Sequence, residues 1–136
     1  MRRVAVLVIE QGEEAGLIRA ALARSPGVRV IEAPRVDDAL ERLDQETETA
    51  PVALAIAGGT ALAGSADEVV KRLGGRGIPV VGVVTGFGPA DRQRALAAGI
   101  REIHDRPTEW RPYSELIDSL IARFTPAGLP PHQGQV

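Results

Sequence analysis

The chain has no cysteine, which excludes disulfides, thiolate nucleophiles and thiolate-ligated zinc or iron–sulfur centres. Aromatic residues are scarce, with one Trp, one Tyr and two Phe in 136 residues, so no stacking platform for nucleic-acid bases can be built. Charge of one sign is also missing. Sixteen Lys and Arg against 18 Asp and Glu leave a net charge of -2, without a basic stripe, and DNA binding by this chain alone is not expected. Long apolar runs are absent as well. After Met1-Arg2-Arg3 the chain is apolar only from Val4 to Ile9, too short for a signal-peptide core or a membrane span, so a cytoplasmic location without membrane contact is expected. His104 and His132 have no second ligand at metal spacing, and neither has serine and carboxylate partners for a triad.

What is present is an ordinary globular composition, 44% hydrophobic and 25% charged, at a length suited to one domain. Val4 to Ile9 is continuously apolar rather than alternating, the pattern of a parallel strand covered on both faces. Similar runs follow at Val28 to Ile31, Val52 to Ala57 and Pro79 to Val84, with a weaker fifth at Arg101 to His104. Between them apolar residues recur at helical spacing: Leu17, Ile18, Ala21 and Leu22; then Val36, Ala39, Leu40 and Leu43; then Ala66, Val69, Val70 and Leu73. A fourth helix is punctuated by Pro89 at its start and Gly99 past its end. A last stripe from Tyr113 to Phe124 predicts a helix beginning near Pro112.

Five strands alternating with five helices predict an α/β, flavodoxin-like (βα)5 three-layer sandwich, its parallel five-stranded sheet in order 2-1-3-4-5. Residues 1–124 form the domain. Residues 125–136, rich in Pro and Gly, read as a disordered tail or linker, and the polar stretch Asp44 to Thr49 as a solvated loop. In such a sheet ligands bind outside the carboxyl ends of the strands. That edge carries Glu10 and Gln11, Ala57-Gly58-Gly59, Thr85-Gly86 and Arg106.

Val6 to Gln11, Pro51 to Ala57, Pro79 to Gly86, Ala97-Ala98-Gly99-Ile100 and Arg106-Pro107 fall in the order and spacing of landmarks in one family. Over about residues 3–124 the chain resembles the receiver domain of bacterial two-component response regulators. The resemblance implies an aspartate at the end of the third strand that accepts a phosphoryl group, an acidic pair that holds magnesium, and a lysine and a hydroxyl that take the phosphoryl oxygens. Here the phosphoacceptor position is Ala57, the acidic pair is Glu10-Gln11, and Arg106 stands for the lysine. One carboxylate remains where the family has three. Thr85 keeps the switch hydroxyl, but Ile103 occupies the position of its aromatic partner.

The expectation is a degenerate receiver, or pseudo-receiver, without magnesium, cofactor or catalysis, acting as a phosphorylation-independent protein-interaction module. Glu10, Gln11, Thr85 and Arg106 form its degenerate pocket, with Arg106 paired to Glu10 or turned to solvent. Thr85 reads more simply as a strand-end residue bonded to local backbone. The alternative is a small-molecule, nucleotide or anion sensor in which Gly58, Gly59 and Gly86 offer backbone amides, although no GxGxxG or Walker pattern is present. The partner is a signalling protein or an output domain of the same chain. A homodimer through the fourth helix, fifth strand and fifth helix is a further expectation. Trp110 and Tyr113, beside Arg111, either cover the end of the core or belong to that interface. Glu13-Glu14, Asp37-Asp38 and Asp67-Glu68 read as first-turn residues that complement helix dipoles.

Overall fold

Strand β1, Val4–Ile9, is buried along its whole length, and its alternate residues feed two separate cores. Ala5, Leu7 and Ile9 face one side of the sheet, Val4, Val6 and Val8 the other. A continuous apolar run is what a central strand covered on both faces requires, since successive side chains point to opposite faces. The computed structural model describes residues 4–45, 51–63 and 65–125. The expected tail beyond Thr125, His132 and most of the expected loop before the third strand lie outside the described residues.

Four more parallel strands flank β1: β2 (Val28–Ala33), β3 (Val52–Ala57), β4 (Val80–Val84) and β5 (Glu102–Asp105). Their order is β2-β1-β3-β4-β5, the flavodoxin-like arrangement the alternation predicts. Helices α1 (Gly12–Leu22) and α6 (Trp110–Phe124) cover one face. The other is covered by α2 (Val36–Gln45), α3 (Gly59–Leu62), α4 (Ala66–Gly74) and α5 (Pro89–Ala98). Large side chains such as Leu7, Ile56, Ile117 and Leu120 are fully buried, each contributing on the order of 1.5–3 kcal/mol relative to exposure.

One expectation is corrected. Six helices are present rather than five, because the stretch expected as a glycine loop after β3 winds into the short helix α3. Its Leu62 seats directly over β4: a Cβ at Gly82 would meet Leu62 Cδ1 at 2.8 Å. A glycine inside a strand marks such a close approach. The last helix begins at Trp110, near Pro112 as expected, and the proline is tolerated within the first turn, where no intrahelical N–H bond is lost. At α5, Asp91 Oδ2 accepts the Gly88 N–H (3.2 Å) and Gly99 takes φ +114°, so the expected start and stop hold.

Candidate functional site

β1 and β3 end side by side, with Ile9 in register with Ala57, and this places Glu10 next to Gly58. The Gly58 N–H donates to the Ile9 carbonyl (3.0 Å) and the Glu10 N–H to the Ala33 carbonyl (3.1 Å), so both backbones are held by the sheet. Because residue 58 has no side chain, the Glu10 carboxyl folds across it. A Cβ at position 58 would stand 1.5 Å from Glu10 Oε2 and 2.2 Å from Cδ.

Glu10 is only 7% exposed. Its Oε1 accepts the Gln11 N–H at 3.0 Å, and Oε2 has no hydrogen bond or ion pair among the described residues. Burial pushes the Glu10 carboxyl above the usual carboxylate range, opposed by the Gln11 hydrogen bond; nearby Glu14 adds to the rise and Arg106 works against it. A buried carboxylic group with one unpartnered oxygen is the most perturbed acid of this edge.

The other expected pocket residues are distributed differently. Gln11 is exposed and its Nε2 donates to the Pro34 carbonyl (3.3 Å) just past the end of β2, on the side of β1 opposite β3 and Ala57. Arg106 is anchored by its N–H to the Val84 carbonyl (2.8 Å). Its side chain neither pairs with Glu10 nor turns to solvent: Nε donates to Thr85 Oγ1 (3.4 Å) and lies 3.9 Å from Glu14 Oε2. Glu14, expected only as a dipole partner in the first turn of α1, is therefore a member of the site. Thr85 uses its hydroxyl toward Arg106 rather than toward local backbone. Ala57 is fully buried among apolar neighbours.

A divalent cation does not fit here. Gln11 points away, Ala57 offers no donor, and no group of three His, Cys, Asp or Glu among the described residues is placed to hold a metal. Gly58 has likewise committed its amide to Ile9 and lies under the Glu10 carboxyl, so it does not offer an anion an open donor.

Beside Glu10 opens a cleft of about 530 Å³, on the face covered by α3, α4 and α5. Glu14, Asp67, Asp91 and Arg94 share its rim with Glu10. Asp91 is paired with Arg94 (2.7 Å), whereas Asp67 has no hydrogen bond or ion pair among the described residues. The walls between them are apolar, from Leu62, Ala66, Phe87 and Ala95. Sequence reading missed this cleft. Its signal was the paired first-turn acids of α1 and α4 with Phe87 set between two glycines, but the apposition of α4 and α5 is tertiary.

Of the two aromatics near α6, Tyr113 is buried at 2% exposure and offers no surface, correcting the expectation that both could serve an interface. Its ring lies 6.1 Å from that of Trp110, centroid to centroid, and its hydroxyl has no partner among the described residues. Burial pushes that hydroxyl far above the usual phenol range. Trp110 is 47% exposed. On β5, His104 Nε2 and Glu102 Oε1 lie 2.6 Å apart, and Arg123 of α6 pairs with the same carboxylate. Arg123 holds Glu102 below the usual carboxylate range, with His104 adding to the effect against a desolvation that opposes it.

No protein-family model matches the chain, and no curated protein matches its sequence. Solved structures do match in fold. The phosphorylated phytochrome response regulator RcpA of a cyanobacterium superposes with a TM-score of 0.73 at 17% identity, over 90% of this chain and 94% of that one. A response regulator of red-light signalling from R. palustris gives 0.73 at 20% identity, over 93% and 98%. An orphan response regulator of H. pylori gives 0.70 at 16%, over 92% and 100%. The chain therefore has the fold of response-regulator receiver domains.

Proposed function

We propose that this chain is a receiver-like module of signal transduction that works by protein docking, without phosphorylation of its own. The observation that carries the reading is the Glu10 carboxyl folded over Gly58 beside the buried methyl of Ala57. Acyl phosphate formation needs an ionised carboxylate at the end of β3, a metal ion, and cations free to take the phosphoryl oxygens. In this chain the nucleophile position is apolar, the metal donors are dispersed, and Arg106 is engaged with Thr85 and Glu14. The nearest carboxyl to that position, Glu10, is driven toward its neutral form by burial. Residues of this edge support a fixed scaffold, not a catalyst.

The likeness to response regulators, among them one described as phosphorylated, supports a place in signalling. It bears on the fold; the departures at the strand ends are this chain's own. The docking surface on this reading is the α5/β5/α6 face, where the two large exposed apolar side chains, Leu96 (48%) and Trp110, are found among the described residues. Its occupant is a signalling protein, an output domain, or a second copy of the chain. Incubation with acetyl phosphate and magnesium followed by intact mass measurement tests the reading. An unmodified chain is expected; a stoichiometric acyl phosphate overturns it.

A second reading, a small-molecule sensor, is favoured by one specific feature: the cleft beside Glu10, whose size suits a small ligand. A ligand there would bias the same scaffold by mass action in place of a phosphoryl group.

A further inference from the structure

Two carboxylates face the cleft without an ion-pair partner among the described residues, and they stand on different elements: Glu10 at the end of β1 and Asp67 in the first turn of α4. The other two are neutralised locally, Glu14 by Arg106 and Asp91 by Arg94. We propose that this cleft binds a small organic cation, an ammonium on an aliphatic stem, held by Glu10 and Asp67 with the stem against Leu62, Ala66, Phe87 and Ala95. The inference rests on the sensor reading and names its ligand class.

The chemistry of the lining selects among occupants. An anion meets an excess of carboxylates and a Gly58 amide already bonded to Ile9. A bare divalent ion needs several convergent oxygens, and no such group exists among the described residues. An alkylammonium fits both halves of the site. Its N–H groups can donate to Glu10 Oε2, which has no hydrogen-bond partner among the described residues although the residue is only 7% exposed, and its methylenes cover apolar wall. The Phe87 ring, packed against the α2–α5 core, adds a face for the positive charge. A second amine at the far end of the stem would give Asp67 a partner as well, so the linear diamines offer one charge for each of the two carboxylates.

Burial raises the Glu10 pKa, and a bound cation opposes that rise, so binding is coupled to proton release. Glu14 from α1, Arg106 after β5 and the Tyr113 hydroxyl from α6 are the other charged or titratable groups that couple to Glu10. Arg106 and Glu14 compensate each other, leaving Glu10 as the group whose ionisation tracks occupancy.

The test is a heteronuclear NMR titration of the full chain, with calorimetry, at constant ionic strength. The probes are diaminobutane, butylamine, the neutral isostere butanediol, and the anions succinate and phosphate. Diaminobutane is expected to bind saturably, to shift the amides of Gly59, Phe87 and Ala95, and to bind more tightly as pH rises. Asp67→Asn should weaken diaminobutane by about tenfold, toward butylamine, with butylamine itself unchanged. Glu10→Gln should remove the pH dependence. Saturable binding of succinate or phosphate at these amides overturns the cationic class and leaves the sensor reading standing. No saturation by any probe overturns both. Equal binding by wild type and both variants, or the same shifts from sodium chloride alone, also overturns the proposal.

Discussion

The Glu10 carboxyl occupies the space a side chain at Gly58 would fill, with Oε2 1.5 Å from the position of a Cβ there. Two residues at the ends of adjacent strands are thus fixed by each other. The glycine admits the acid, and the acid closes over the end of the sheet where Ala57 supplies only a methyl.

Gly58→Ala should expel the Glu10 side chain from this position and destabilise the domain by about 1–3 kcal/mol, the usual cost of overpacking. Combining it with Glu10→Ala should recover part of the loss, since the second change removes the clash. A double-mutant cycle by urea denaturation measures the coupling. Additive effects would mean that the two side-chain positions do not exclude each other.

Stability should fall as Glu10 ionises. Its folded-state pKa lies above the ordinary 4.5, so its stabilising contribution is complete below that value and is lost as pH rises through the folded pKa. Glu10→Gln keeps an oxygen for the Gln11 N–H and cannot ionise. The variant should melt at a higher temperature than wild type near pH 8, with the difference shrinking as pH falls and gone by about pH 4. Calorimetric melting across this range reads it. A difference that grows on acidification would contradict the burial argument.

Glu102 should behave in the opposite sense. Arg123 is the main cause of its depressed pKa, so its contribution is present above the ordinary carboxylate pKa and is lost as pH falls through the folded value. Arg123→Ala should move the Glu102 midpoint upward in a carboxyl-detected NMR titration. The partners are on the surface, so the neutral-pH stability change should stay within about 1 kcal/mol.

If the α5/β5/α6 face is a docking surface, its apolar contacts are dispensable for folding. Leu96→Ser with Trp110→Ser should leave the melting temperature within a few degrees of wild type, because both side chains are about half exposed. Self-association in sedimentation velocity should fall. Unchanged association would move any dimer contact away from this face.

The sheet was legible because its signal is local: β1, β3 and β4 are continuous apolar runs, and strict alternation with helices leaves one common strand order. Helix α3 was not, since a Gly-Gly-Thr start reads as a turn and only the packing of Leu62 over Gly82 makes a helical turn favourable. At the site, that β3 ends on Ala57, which carries no carboxylate, could be read directly from its place in the chain. Which partner Arg106 takes could not, because Glu10 at the end of β1 and Glu14 in the first turn of α1 lie close together in sequence and only the tertiary fold decides between them. The two glycines of position 58 and 59 looked alike in sequence; one admits Glu10 and the other begins α3. Tyr113 and Trp110, three residues apart at the start of α6, diverge for the same reason: Tyr113 falls on the stripe that meets the sheet and Trp110 does not.

The central claim is that the carboxyl edge of this sheet is closed to phosphoryl chemistry. It is tested most directly by beryllofluoride with magnesium, a non-covalent mimic of the acyl phosphate, followed on the backbone amides of Ala57, Gly58, Thr85 and Gly86. The spectrum should not change at any ratio of beryllofluoride to protein. Saturable shifts at these four amides, lost on removal of magnesium, would contradict the account.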